Sequence, residues 1–183
     1  MLAIFFAAQT ASAQNHPNNI EFDSIRITTK AHQIFLPLHI KQSDLIKAFG
    51  KPLKVEKWYD ETDDTHGFKV SYKGASFYFI ADSLNGFHFE ELGEFEVGLI
   101  DQGVYTGVGG NCNRFKKLRM VGDSGGFLNV QHHGFDADEL LSFENYKGTG
   151  IIQRIIYTDY NANQENDLKW EDLNLPKSPE GNP

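Results

Sequence analysis

The stretch Phe68-Lys69-Val70-Ser71-Tyr72-Lys73-Gly74-Ala75-Ser76-Phe77-Tyr78-Phe79 decides the fold class. Apolar side chains recur at every second position on both sides of Lys73-Gly74: Phe68, Val70 and Tyr72 before it, Ala75, Phe77 and Phe79 after it. A strand turns successive side chains to opposite faces, so a period of two makes one face of each segment apolar. Glycine in the link supplies the turn, and the whole predicts a β-hairpin half buried against a core. The composition agrees. With 15 Phe and 7 Tyr in 183 residues the chain favours strands, where aromatic side chains pack well on a pleated surface.

Outward from the hairpin, Ile25 and Ile27 predict a first strand, and Ile34, Leu36, Leu38 and Ile40 a second. Pro37 puts the second at a sheet edge, because proline has no N–H to give to a ladder. Further strands are predicted at 53–58, 87–91, 95–99, 115–121, 127–130 and 151–157. Two short helices are expected between them. Ser43 is suited to cap a helix over 44–49, with Asp44 in its first turn and Gly50-Lys51-Pro52 as its stop. Asp136 and Glu139 stand at capping-box spacing, and Phe135 and Leu140 at the positions of a hydrophobic staple, which predicts a second helix over 137–145. The expected fold class is α+β: antiparallel sheet or sheets with two short helices, in a single domain over residues 14–173.

At the N-terminus, the apolar run Leu2-Ala3-Ile4-Phe5-Phe6-Ala7-Ala8 leads into Ala11-Ser12-Ala13, small residues placed where a signal peptidase cuts. Residues 1–13 therefore read as a signal peptide, and the mature chain as exported, periplasmic or secreted. From Tyr160 onward the apolar period is lost, and residues 174–183 are expected to form a disordered tail. No segment approaches the roughly 20 apolar residues that a membrane-spanning helix needs, so no membrane insertion is expected. A net charge of −8 argues against nucleic acid and anionic membranes as partners, which leaves a protein or a small solute. The lone Cys112 excludes an internal disulfide and reads as a small packed residue rather than a nucleophile.

Ser43-Asp44-Leu45-Ile46-Lys47-Ala48-Phe49-Gly50-Lys51-Pro52, followed by strands, resembles a segment of small exported bacterial α+β domains. In these a short helix ending in Gly-x-Pro feeds an antiparallel sheet, as in β-lactamase-inhibitor-like proteins and small outer-membrane assembly lipoproteins. The resemblance covers Leu38 to Ile80. It implies a binding scaffold and carries over no catalytic residue, and the chain lacks the anchoring cysteine of the lipoproteins beside its cleavage site.

Four constellations invite a chemical reading. Gly122-Asp123-Ser124-Gly125-Gly126 is similar to the nucleophile loop of trypsin-like serine proteases. That likeness implies Ser124 as nucleophile, His32 as its base, and Asp82 or Asp101 as the group orienting the histidine. Yet only residues 14–31 precede His32 in the mature chain, too few for the barrel strands that precede the histidine in that family, and Phe127 replaces the usual proline. A plain loop between strands is the preferred reading. Asp159, Asn161, Asn163, Glu165 and Asp167 alternate like the start of a calcium loop, but Gln164 and Trp170 stand where that loop needs glycine and a bidentate glutamate. The alternative of weak calcium binding rests on those five. His132-His133 with Cys112 lack metal-site spacing, and Gly107, Gly109 and Gly110 precede no phosphate-binding helix.

The function expected from the residues is therefore a non-catalytic binding or interaction protein without a cofactor. Its candidate anchors are Trp58 and Tyr59, set before Asp60-Glu61-Thr62-Asp63-Asp64, and Tyr105 in a glycine-flanked loop.

Overall fold

In a computed structural model of the chain, residues 24–60, 64–99, 103–111, 127–131, 139–145 and 149–159 are described. They form two antiparallel sheets and one helix. The smaller sheet has the order β2 (Phe35–Leu36), β1 (Ile25–Thr29), β7 (Phe95–Leu99), β8 (Val104–Thr106). The larger runs β3 (Lys54–Asp60), β4 (Thr65–Tyr72), β5 (Ala75–Ile80), β6 (Ser83–Phe89), β11 (Ile152–Asp159), β10 (Glu139–Asn145), β9 (Phe127–Gln131). The hairpin that decides the fold class is β4 and β5, paired from Phe68 opposite Phe79 to Tyr72 opposite Ala75, and Gly74 turns the link at φ 75°.

Period-two alternation propagates across the larger sheet as continuous rows. One inner row reads Val55, Val70, Phe77, Phe87, Tyr157, Leu141; a second reads Tyr72, Ala75, Phe89, Ile155, Phe143. Phe77, Phe87, Phe89, Ile155, Tyr157, Leu141 and Phe143 are buried, as are Ile25, Ile27, Val97 and Leu99 from the smaller sheet, so the two sheets share one core. Phe95 on β7 joins them. Its ring lies 5.2 Å from Phe77, 5.7 Å from Phe89 and 5.3 Å from Tyr72 on the larger sheet. Burying such a side chain contributes about 1.5–3 kcal/mol relative to leaving it exposed.

The helix α1 (Gln42–Phe49) buries Leu45 and sets the Phe49 ring edge-on to Phe95 at 5.2 Å. It stops where glycine was expected to stop it: Gly50, at φ 82°, donates its N–H to the Ile46 carbonyl at 2.9 Å. Its start differs from expectation. Lys41 is the N-cap, with extended backbone and no side-chain cap, and Ser43 lies inside the first turn. The Gln42 N–H instead points to Asp82 Oδ1, 3.3 Å away in the turn between β5 and β6.

The helix expected over 137–145 is corrected: residues 139–145 are strand β10, with neighbours on both sides. Leu141 and Phe143 are buried at a spacing of two, and the ladder to β9 and β11 satisfies the backbone that a capping box would have satisfied locally. The second strand is shorter than its alternation predicted, only Phe35–Leu36, ending at Pro37 on the sheet edge. The strands expected at 25–27, 53–58, 87–91, 95–99, 127–130 and 151–157 are present with shifted ends. The segment 115–121, the leader 1–13 and the tail 174–183 lie outside the described residues. Among the described residues, no helix is long and apolar enough to cross a membrane.

Candidate binding site

On the outer face of the larger sheet the rows are of another character. One reads Glu56, Lys69, Tyr78, Gly86, Thr158; the next contains Ser71, Ser76, His88 and Ile156. Where the rows meet β3, Trp58 stands opposite Gly67. The indole lies 4.9 Å from the Tyr78 ring, and Tyr78 lies 5.0 Å from the His88 imidazole, so three half-buried rings run diagonally over β3, β5 and β6.

Two glycines on these strands have no room for a side chain. A Cβ on Gly86 would stand 2.6 Å from the Tyr157 carbonyl oxygen, and one on Gly67 would overlap the Phe79 carbonyl and come to 3.2 Å from the indole. Both approaches are to backbone that cannot swing aside. A depression of about 300 Å³ is lined by Trp58, Tyr78, Gly86, His88 and Thr158, with Tyr59, Asn85 and Tyr157 completing the wall. Asn85 is fixed there by donating from Nδ2 to the Asp159 carbonyl at 2.7 Å.

The electrostatics keep the depression uncharged. Burial pushes the His88 imidazole below its ordinary value of 6.5; Glu90 works against this, while Arg154 and Lys69 assist it. The ring is therefore neutral at pH 7. Burial raises the Tyr78 hydroxyl above its ordinary range, Glu90 and Glu56 adding to the effect and a Ser76 hydrogen bond opposing it, so the phenol keeps its proton. Lys69 Nζ sits 5.9 Å from the Tyr78 ring centroid, a cation over an aromatic face. The charges nearby are engaged with one another: Lys54 hydrogen-bonds Glu56, and Arg154 Nε lies 3.7 Å from Glu90 and 3.6 Å from Glu144.

The residues singled out from sequence are dispersed. Trp58 is in the depression, on strand β3, within the segment 53–58 that was expected to be a strand. Tyr59 follows it on the same strand and also borders the depression; its ring lies 4.7 Å from His66 and its hydroxyl donates to Asp64 Oδ1 at 2.7 Å. Tyr105 is on strand β8 of the smaller sheet, not a loop, with its ring directly over Gly98. It packs 5.0 Å from His32 and 5.3 Å from Phe35.

Of the hydrolase set, His32 is in the turn after β1 at φ 49°, its Nε2 held 2.5 Å from Glu96 Oε2, and Asp82 faces the N-terminus of α1. Ser124 and Asp101 lie outside the described residues. Asp159 is buried at the end of β11, and Asn161, Asn163, Glu165 and Asp167 are again outside them, as are Cys112, His132 and His133. Among the described residues no three His, Cys, Asp or Glu side chains cluster so as to hold a metal ion.

Sequence reasoning missed Tyr78, His88, Gly67 and Gly86. A usable signal existed for two of them: the alternation that turns Phe77 and Phe79 inward turns Tyr78 outward, and Phe87 and Phe89 do the same for His88. Comparison with protein-family models, curated proteins and solved structures finds no match to this chain. The functional reading rests on the geometry.

Proposed function

We propose that the protein is an exported, non-catalytic binding protein whose partner, a small solute, is received in the depression on the outer face of the larger sheet. The observation that carries this is the row Trp58, Tyr78 and His88, three half-buried rings that lie outside the core and converge on a hollow that Gly86 also lines. Aromatic side chains contribute large contact area at little entropic cost, and a concave site in which rings stand beside a few placed polar atoms is one in which small ligands are held. Export follows from the leader pattern of residues 1–13.

The test is a titration of the isotope-labelled full chain with a library of small polar solutes, followed by NMR. Binders are expected to shift the Trp58 indole N–H and the His88 ring resonances together. Shifts confined to Tyr105 and Phe35, or an absence of saturable binders, would overturn the reading.

A further inference from the structure

We infer that the occupant of this depression is an uncharged sugar ring. The inference rests on the binding role proposed above and adds the chemical class of ligand.

Charge comes first. None of the eight residues lining the depression is Asp, Glu, Lys or Arg, in a chain of which 23% is charged. A carboxylate, phosphate or ammonium group brought here would give up part of its water and meet no counter-charge among the lining side chains, a net cost to the ion. An uncharged ligand avoids that cost.

Size comes next. About 300 Å³ is at the small end of ligand pockets, room for a single ring and not for an extended chain.

Shape then separates a sugar from a flat heterocycle. The Trp58 and Tyr78 planes meet at 55°, and those of Tyr78 and His88 at 61°. A planar aromatic ligand stacked on Tyr78 therefore lies parallel to neither Trp58 nor His88. A puckered sugar ring directs C–H groups several ways, and the negative face of an aromatic ring attracts such polarised hydrogens. Its hydroxyls need partners of mixed donor and acceptor character, and the lining supplies these in the Thr158 hydroxyl and a neutral imidazole, which has one donor and one acceptor nitrogen.

The experiment uses the labelled full chain and a defined set of probes: the methyl glycosides of glucose, galactose and mannose, and N-acetylglucosamine; then glucuronate and glucosamine as charged sugars; then phenol as a flat uncharged ring. At least one neutral sugar is expected to shift the Trp58 and His88 signals saturably, with glucuronate and glucosamine at least about tenfold weaker, an energy difference of roughly 1.4 kcal/mol. Trp58→Ala should abolish the shifts at His88. Thr158→Val, which removes one hydroxyl and little else, should weaken the sugar several-fold and serves if the tryptophan variant does not fold.

Saturation by phenol with none by neutral sugars would overturn the sugar and leave the binding role standing. Saturation by neither would overturn both. Preference for a charged sugar would overturn the argument from the uncharged lining.

Discussion

Trp58 and Gly67 face each other across β3 and β4, and the indole lies over the glycine so closely that a Cβ there would come to 3.2 Å from its Cε3 atom. An aromatic ring laid over a glycine on the neighbouring strand restores the apolar cover that the missing side chain forfeits. Tyr105 and Gly98 repeat the arrangement on the smaller sheet.

Gly67→Ala should therefore cost more than an ordinary surface substitution. The added methyl overlaps the Phe79 carbonyl and presses the indole, an overpacking of the kind that costs about 1–3 kcal/mol. Gly86→Ala should cost a similar amount against the Tyr157 carbonyl. Urea midpoints unchanged from wild type in both variants would show that these close approaches do not constrain the sheet.

Ala81 should respond in the opposite direction. It occupies the two-residue link of the β5 and β6 hairpin with φ 48°, followed by Asp82 at φ 66°, the pair of left-handed conformations that suits glycine or asparagine. A non-glycine residue there bears a strain of about 1–2 kcal/mol. Ala81→Gly is expected to stabilise the protein by about 0.5–1 kcal/mol once the glycine's extra unfolded-state entropy is counted. Equal or lower stability by urea denaturation would contradict the strain.

Acid should destabilise the fold through His88. Burial lowers its folded pKa beneath the ordinary 6.5, so below that value the unfolded chain binds the proton more readily than the folded one. The contribution is fully present above pH 6.5 and is lost as pH falls toward and through the folded value. His88→Gln should flatten this part of the profile. Equal losses of stability between pH 7.5 and pH 5.5 in wild type and variant would remove His88 from the account.

Export makes a prediction of its own at the other end of the chain. The proposed cleavage after Ala13 would leave Gln14 as the first residue of the mature protein, and intact-mass analysis of material recovered from an exporting host is expected to show it. Retention of Met1 after export would refute the cut.

The strands were legible where alternation was strict. Phe68, Val70 and Tyr72, then Ala75, Phe77 and Phe79, read as what they are because both strands have one wet face and one dry one. The segment 139–145 misled, since Asp136 and Glu139 carry a local capping signal while the strand's stability comes from partners distant in sequence, β9 and β11. Val104-Tyr105-Thr106 read as a loop because glycines surround it, yet pairing with β7 makes it a strand. The site was less legible than the fold for a related reason. Trp58, Gly67, Tyr78, His88 and Thr158 come from five strands, and only the register between those strands brings them together.

The order of the strands also sets an order of events in folding. β3, β4, β5 and β6 are neighbours both in the chain and in the sheet, so each pairing closes only a short loop. β1 and β7, with Ile25 opposite Leu99, can pair only after the whole meander between them has been spanned. Loop-closure entropy delays the second kind of contact relative to the first. The meander β3 to β6 should thus assemble in the rate-limiting transition state, and the smaller sheet should dock onto it afterwards. In chevron measurements Val70→Ala is then expected chiefly to slow folding, and Val97→Ala chiefly to speed unfolding. The reverse assignment would mean that the smaller sheet is the nucleus on which the larger one is laid down.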